Sequence, residues 1–275
     1  MDGGDPAGWP PALAAERLRP AEVYLAVAGD EDGPSPAAAG AVGERVAYAI
    51  QCGADVLVVA SDGHPARDAV AGRAGRGPAL TATGWHRLVE IITVIERTAG
   101  DRGLRVAFHP HAGTWVETPA EIDRLFTAAP TLALCLDTGH HLVGGGDPSE
   151  TIAAFADRLA HVHLKDVDPF VLRRLRDGDG DGDGLAGAVG MRLFAPLGSG
   201  LLDLAGVIQA LTTARYRGWL MVEQDTTWEP PVEAAAISRR VLEWACRQEA
   251  PSAASIITAD HEKSGAPPGV PVNGL

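Results

Sequence analysis

The sequence predicts an α/β protein built as a (β/α)8 TIM-type barrel, and three observations carry that prediction. Short β-branched runs alternate with helical patterns along the chain, which implies βαβ units and a parallel sheet. The second such run, Asp55 to Ala60 (DVLVVA), is apolar throughout, as a strand covered on both faces should be. Histidines and carboxylates fall at the C-terminal ends of several different runs, where barrel enzymes keep their chemistry. No GxGxxG follows the first strands, so a dinucleotide-binding sheet loses its main support.

Six strands are expected: Glu22 to Val27, Asp55 to Ala60, Arg105 to His109, Leu132 to Asp137, Ala160 to Lys165 and Trp219 to Glu223. Between them, Leu88, Ile91, Ile92 and Ile95 repeat at i, i+3, i+4 and i+7, one apolar stripe of a helix. Thr118-Pro119-Ala120-Glu121 carries an N-cap, a proline at the first helical position and an acid at the third, a capping box. Asp147-Pro148-Ser149-Glu150 is a similar start. Asp203 caps a helix to about Ala214, and a last helix spans Val232 to Cys246. A closed barrel needs eight strands. The shortage lies at the N-terminus, where a helix near Pro11 to Arg17 leads into a strand that resembles the middle of a barrel. The expectation is therefore one barrel domain over residues 1–250, incomplete at its start with unpaired strand edges. Residues 251–275, rich in Pro, Ser, Ala and Gly, are expected to form a disordered tail.

The acidic run Asp177 to Gly184 (DGDGDGDG) resembles a calcium loop only superficially. Counted from Asp179, its twelfth position is Gly190, not the bidentate Glu an EF-hand needs, so a solvated loop is expected. Gly144 to Asp147 (GGGD) lacks the lysine of a phosphate loop and reads as a connection. Trp219 and Trp228 are read as packing residues.

Composition narrows the function classes. The formal net charge is -13 over 275 residues, which argues against a nucleic-acid partner. The three cysteines Cys52, Cys135 and Cys246 fit neither a disulfide framework nor a zinc-thiolate spacing. The opening residues MDGGDPAGWPP have no secretory pattern, and no apolar run approaches the ~18 residues of a membrane span. A cytoplasmic protein of small molecules, with no membrane partner and with homo-oligomerisation open, is the expectation.

Nine histidines occur, and six lie between residues 109 and 163: His109, His111, His140, His141, His161 and His163. Strand side chains alternate with period two, so His161, His163 and Lys165 share one face, as do Cys135 with Asp137 and Met221 with Glu223. Each alone has a plain structural reading: a strand histidine is commonly a hydrogen-bonded core residue, and Asp137 before Thr138-Gly139 could simply form a turn. As a set, inward polar groups at four strand ends call for a shared partner, and a metal satisfies several at once. His109, Asp137, His163 and Glu223 are the expected ligands. Mixed imidazole and carboxylate donors suit Mn²⁺, Co²⁺, Fe²⁺, Zn²⁺ or Mg²⁺.

The segments FHPHAGTWVETPAEIDRLF, LCLDTGHHLVGGGDP, RLAHVHLKDVDP, FAPLGSG and YRGWLMVEQD resemble the sugar phosphate isomerase/epimerase superfamily, the xylose isomerase-like barrels, with the nearest likeness to inosose dehydratase and its relatives. The resemblance implies a metal held by Asp137, His163 and Glu223. Where the epimerases carry a glutamate, this chain has His-Pro-His, so His109 or His111 takes the fourth place. That departure favours the dehydratase-like branch. His140 resembles the family's substrate-contacting histidine.

The implied activity is a metal-dependent lyase on a cyclic polyol ketone such as 2-keto-myo-inositol, acting by α-proton abstraction, an enolate held by the metal and loss of the β-hydroxyl. His111, His140 and Lys165 are the candidate proton carriers, with Glu117 less favoured. His109, His140, His161, Lys165 and Asp166 are the candidate substrate contacts. A ketose/aldose isomerase or epimerase of a small sugar, and a non-catalytic barrel remnant, are the alternatives.

Overall fold

A computed structural model describes residues 9–73, 75, 77–178, 184–225 and 229–248. In chain order the strands are β1 (Glu22–Val27), β2 (Gly29–Asp30), β3 (Gly33–Pro34), β4 (Val56–Ser61), β5 (Arg105–Phe108), β6 (Ala133–Asp137), β7 (Leu159–Leu164), β8 (Asp166–Val167), β9 (Phe194–Ala195) and β10 (Leu220–Val222). The helices are α1 (Trp9–Ala15), α2 (Val42–Cys52), α3 (Pro65–Asp68), α4 (Ala82–Gly100), α5 (Pro119–Ala128), α6 (Thr138–Val143), α7 (Pro148–Ala154), α8 (Pro169–Asp177), α9 (Gly184–Gly190), α10 (Leu204–Thr213) and α11 (Pro231–Gln248). A 3-10 turn, Pro36–Ala41, leads into α2.

Six parallel strands form one sheet in the order β1-β4-β5-β6-β7-β10. These are the six strands expected, each within a residue or two of its predicted bounds. The sheet is curled into part of a barrel: Glu22 of β1 lies 3.0 Å from His161 and 2.9 Å from His163 of β7, although three strands separate β1 from β7.

Alternation divides the sheet into two faces. Leu57, Val59, Leu134, Leu136, Val162 and Leu164 face outward into the main core, with Leu88, Ile91, Ile92 and Ile95 of α4 and Ile122, Leu125 and Phe126 of α5. Burying a stripe of this kind is what stabilises an amphipathic helix on a sheet. The inner face carries a smaller apolar cluster that includes Val56, Val58, Ala107 and Cys135, with Tyr24 against it.

The helix starts follow the cap signals. Thr118 accepts the Glu121 amide, and the Glu121 carboxylate accepts the Thr118 amide at 2.9 Å, a complete capping box on α5. Asp147 accepts the Ser149 and Glu150 amides at the start of α7, and Asp203 accepts the Gly206 amide at the start of α10. Gly144 to Asp147 joins α6 to α7, the connection expected.

A third cluster sits over the C-terminal ends of the strands. Val171, Leu172 and Leu175 of α8, Leu185 and Ala188 of α9, and Val167 and Phe194 of the antiparallel β8–β9 pair pack together there. Within the acidic run, Gly178 ends α8 with a left-handed cap and Gly184 begins α9. Residues 179–183, Trp228 and the tail 251–275 lie outside the described residues.

Candidate metal and acid-base centre

β6 runs directly into α6, and that junction builds the centre. Asp137 is both the last residue of the strand and the N-cap of the helix. Its Oδ1 accepts the His140 amide at 2.8 Å, which leaves Oδ2 turned inward. Thr138 Oγ1 donates to the Lys165 carbonyl at 2.8 Å and accepts the Lys165 amide at 2.9 Å. This tie fixes the end of β7 beside α6. Lys165 then passes over Gly139, where a Cβ would lie 2.7 Å from Lys165 Cγ; only glycine leaves the side chain that path.

The Lys165 ammonium is buried and surrounded. It lies 3.2 Å from Asp137 Oδ2, 3.4 Å from Glu223 Oε1 and 2.7 Å from Asp225 Oδ1. It donates to His140 Nε2 at 3.0 Å, and the Phe194 ring covers it at 4.8 Å. Burial lowers its pKa, but Asp137, Glu223 and Asp225 outweigh burial and raise it, so it stays a cation.

His163 faces two ways. Its Nδ1 lies 2.8 Å from Glu223 Oε2 and 3.8 Å from Asp137 Oδ2. Its Nε2 is hydrogen bonded to Glu22 Oε2 at 2.9 Å, with Cys135 Sγ at 3.7 Å. Burial pulls the imidazole down, while the Cys135 sulfur and the Glu22 and Glu223 carboxylates raise it, with a net rise above its ordinary range. Glu223 is drawn down to about 2: burial opposes this, and His163 and Lys165 prevail. Burial pushes Asp137 up, Lys165 pulls it back, and Glu223 adds to the rise.

The donors suit a divalent cation. Asp137 Oδ2, His163 Nδ1 and Glu223 Oε2 are each buried without an aligned hydrogen-bond partner, and they lie within 4.8 Å of one another. Unpartnered buried polar atoms are costly, and three converging ones share a common remedy. Charge agrees. The carboxylates of Asp137, Glu223 and Asp225 face a single ammonium, which leaves two negative charges for a cation to balance when His163 is neutral.

His109 stands apart from that trio. It is buried, its Nδ1 lacks a partner, and it groups with His111 and His140 on one side and with Cys135 and His163 on the other. The structure therefore brings three of the four expected ligands together and places the fourth alongside, with its ring 5.1 Å from that of His163. His111 and His140 stack at 3.5 Å between ring centroids. Burial pushes His140 well down, and the neighbouring imidazoles and the Lys165 ammonium add to the fall. Burial also lowers His111, whose Nδ1 meets the Ala112 carbonyl at 2.7 Å. A carbonyl only accepts, so Nδ1 carries the hydrogen and Nε2 a free lone pair.

Two expected substrate contacts turn out to be committed elsewhere. Asp166 Oδ1 accepts the Val167 and Leu202 amides, and Oδ2 accepts the Gly198 and Gly200 amides, at 2.8 to 2.9 Å. Its carboxylate anchors a loop, because four backbone donors converge on it. His161 is wholly buried one layer below the centre, with Nε2 3.0 Å from Glu22. Period-two alternation put it on the correct face but not at the strand end. Glu117 is also occupied, accepting the Gly72 and Gly113 amides beside Arg67.

Glu22 and Asp225 have no place in the motif reading. Glu22 opens its strand, far in sequence from every motif. Asp225 follows Glu223 by two, so alternation beyond the strand end was the signal that could have found it.

A family model described as the xylose isomerase-like TIM barrel matches residues 30–247. The chain is 33% identical over 193 residues to the rhizopine catabolism protein MocC of Rhizobium meliloti, covering 69% of this chain and 58% of that protein. It is 32% identical over 202 residues to an inosose dehydratase of Lacticaseibacillus casei, covering 70% of this chain and 65% of that protein. The chain thus spans roughly three-fifths to two-thirds of these relatives' lengths. Among solved structures, D-allulose 3-epimerase from Methylomonas sp. in complex with D-allulose superposes with a TM-score of 0.63 at 19% identity, over 90% of this chain and 82% of that one. The IOLI protein with a bound zinc atom gives 0.61 at 13% identity, over 93% and 82%. At these identities the two structures speak for the fold.

Proposed function

Since the chain belongs to the xylose isomerase-like TIM-barrel family, we propose that it is a divalent-metal-dependent lyase of the inosose dehydratase type, acting on a small cyclic polyol ketone. The carrying observation is the convergence of Asp137 Oδ2, His163 Nδ1 and Glu223 Oε2, all buried and without an aligned hydrogen bond. These three would hold the cation, with His109 beside them as a further donor. When bound, a cation of the Mn²⁺, Co²⁺, Zn²⁺ or Mg²⁺ type supplies Lewis-acid stabilisation of charge on substrate oxygens. The relatives named inosose dehydratase and the zinc-bearing neighbour support the reading.

The chain's own groups divide the proton work. His111 is neutral, with Nε2 free, and is suited to take the proton α to the ketone. Lys165 is held protonated by three carboxylates and is suited to donate to the departing β-hydroxyl. His140 accepts from Lys165 Nζ and so positions it. Phe194 and the helical cluster above it cover Lys165 and His140, which keeps water from the ammonium. Elimination of water balances without an oxidant: the α-proton goes to His111, and the hydroxide leaves with a proton from Lys165.

The test is turnover of 2-keto-myo-inositol by metal-loaded protein in deuterated water. Formation of the dehydrated diketone supports the lyase. The D-allulose 3-epimerase fold neighbour favours a second reading, in which the same α-proton step returns the proton to carbon. Deuterium exchange at the α-carbon of a ketose with no loss of water would replace the lyase with that epimerase.

A further inference from the structure

Among the described residues, Glu22 is a carboxylate on the barrel's inner face that neither the motifs nor the proton chemistry uses. It opens β1, opposite Val56 of β4, and its side chain is only 14% exposed. Its Oε2 reaches across the lumen to β7, where it is hydrogen bonded to His163 Nε2 at 2.9 Å. The same oxygen lies 3.0 Å from His161 Nε2, off the line of a hydrogen bond. Both nitrogens of His163 face a carboxylate, but only the Nε2 contact to Glu22 is aligned as a hydrogen bond, while Nδ1 meets Glu223 Oε2 off that line, so in the neutral ring the hydrogen sits on Nε2. The nitrogen left to donate a lone pair is then Nδ1, the atom that faces Asp137 and Glu223.

We propose that Glu22 is the positioning residue of the cation site: by accepting the Nε2 hydrogen of His163 from across the barrel, it selects the tautomer and ring orientation in which Nδ1 is the ligand. The inference rests on the reading of Asp137, His163 and Glu223 as that site. A metal-bound imidazole generally gives its second N–H to such an acceptor, and loss of the acceptor weakens metal binding about 10- to 100-fold. Two neighbours sharpen the assignment. Cys135 Sγ is the other group near Nε2, and burial pushes its thiol up to about 11, so it offers only a weak neutral acceptor. His161 makes no hydrogen bond to His163, and its Nε2 flanks the same Glu22 oxygen.

The experiment is Co²⁺ titration of the full chain, followed by d–d absorption, with side-chain ¹⁵N spectra of His163 in Zn²⁺-loaded protein. Glu22→Ala is expected to keep one equivalent of Co²⁺ but bind it about 10- to 100-fold more weakly, with His163 shifted toward a mixture of tautomers. Glu22→Gln, which can still accept at the same reach, is expected to recover most of the affinity. If the alanine variant fails to fold, Glu22→Asp serves, since its shorter arm withdraws the acceptor and should weaken binding in the same sense. Wild-type affinity and an unchanged His163 signal in folded Glu22→Ala protein overturn the proposal. So do two equivalents in the wild type that fall to one on substitution, because Glu22 would then itself be a ligand. Asp137→Ala separates the two levels. Tight binding that survives Asp137→Ala defeats the cation-site reading, whereas binding lost in Asp137→Ala and untouched in Glu22→Ala defeats only the role of Glu22.

Discussion

At Asp137 one oxygen accepts the His140 amide and caps α6, while the other ends 3.2 Å from the Lys165 ammonium. The same side chain therefore starts a helix and turns an oxygen toward the candidate cation site, and the strand-to-helix junction cannot shift without moving that oxygen. His141, the next residue along α6, shows the cost of burying a titratable group beside that junction. It is buried, packs against Gly146 and lies 2.7 Å from Thr151 Oγ1. Burial drives its pKa down from 6.5 to about 4, against the partial pull of Asp147. The unfolded chain then takes up a proton that the folded one refuses. The stability this group contributes is fully present above pH 6.5 and drains away as pH falls toward 4, by about 3 kcal/mol in all. Urea unfolding should therefore show a steeper acid loss in the wild type than in His141→Gln. Parallel pH profiles for the two proteins would contradict the assignment.

Among the elements, β7 and the loop after β9 are both held by hydrogen bonds from residues distant in the chain. The period-two pattern of Ala160 to Lys165 made the inward set of His161, His163 and Lys165 legible, and the cap signals located α5, α7 and α10. Alternation along one strand carries no information on depth in the barrel or on what lies across it. From the sequence alone His161 and Asp166 therefore resemble substrate contacts, while the structure buries His161 against Glu22 and ties Asp166 to four backbone amides. Asp166→Asn should cost roughly 2 to 4 kcal/mol, because an amide nitrogen would face backbone donors that lose their acceptor. The amides of Gly198, Gly200 and Leu202 should lose hydrogen-exchange protection selectively. Unchanged protection at those three would show that the loop does not depend on this carboxylate.

For the whole molecule, the parallel sheet and its polar strand ends are readable because each strand is a short local pattern and each candidate ligand sits inside a motif. The curl is not. It brings Glu22 at one end of the sheet against β7, and no spacing along the chain encodes a contact between residues 22 and 163. Likewise, no local pattern encodes the placement of His109 beside the Asp137, His163 and Glu223 trio and not within it. The central claim is that Asp137, His163 and Glu223 form one cation site, and equilibrium dialysis of the purified chain against Mn²⁺, Co²⁺ and Zn²⁺ tests it most directly. One equivalent per chain, lost in Asp137→Ala and in His163→Ala, is the predicted result. No bound cation in the wild type, or binding that survives both substitutions, would contradict it.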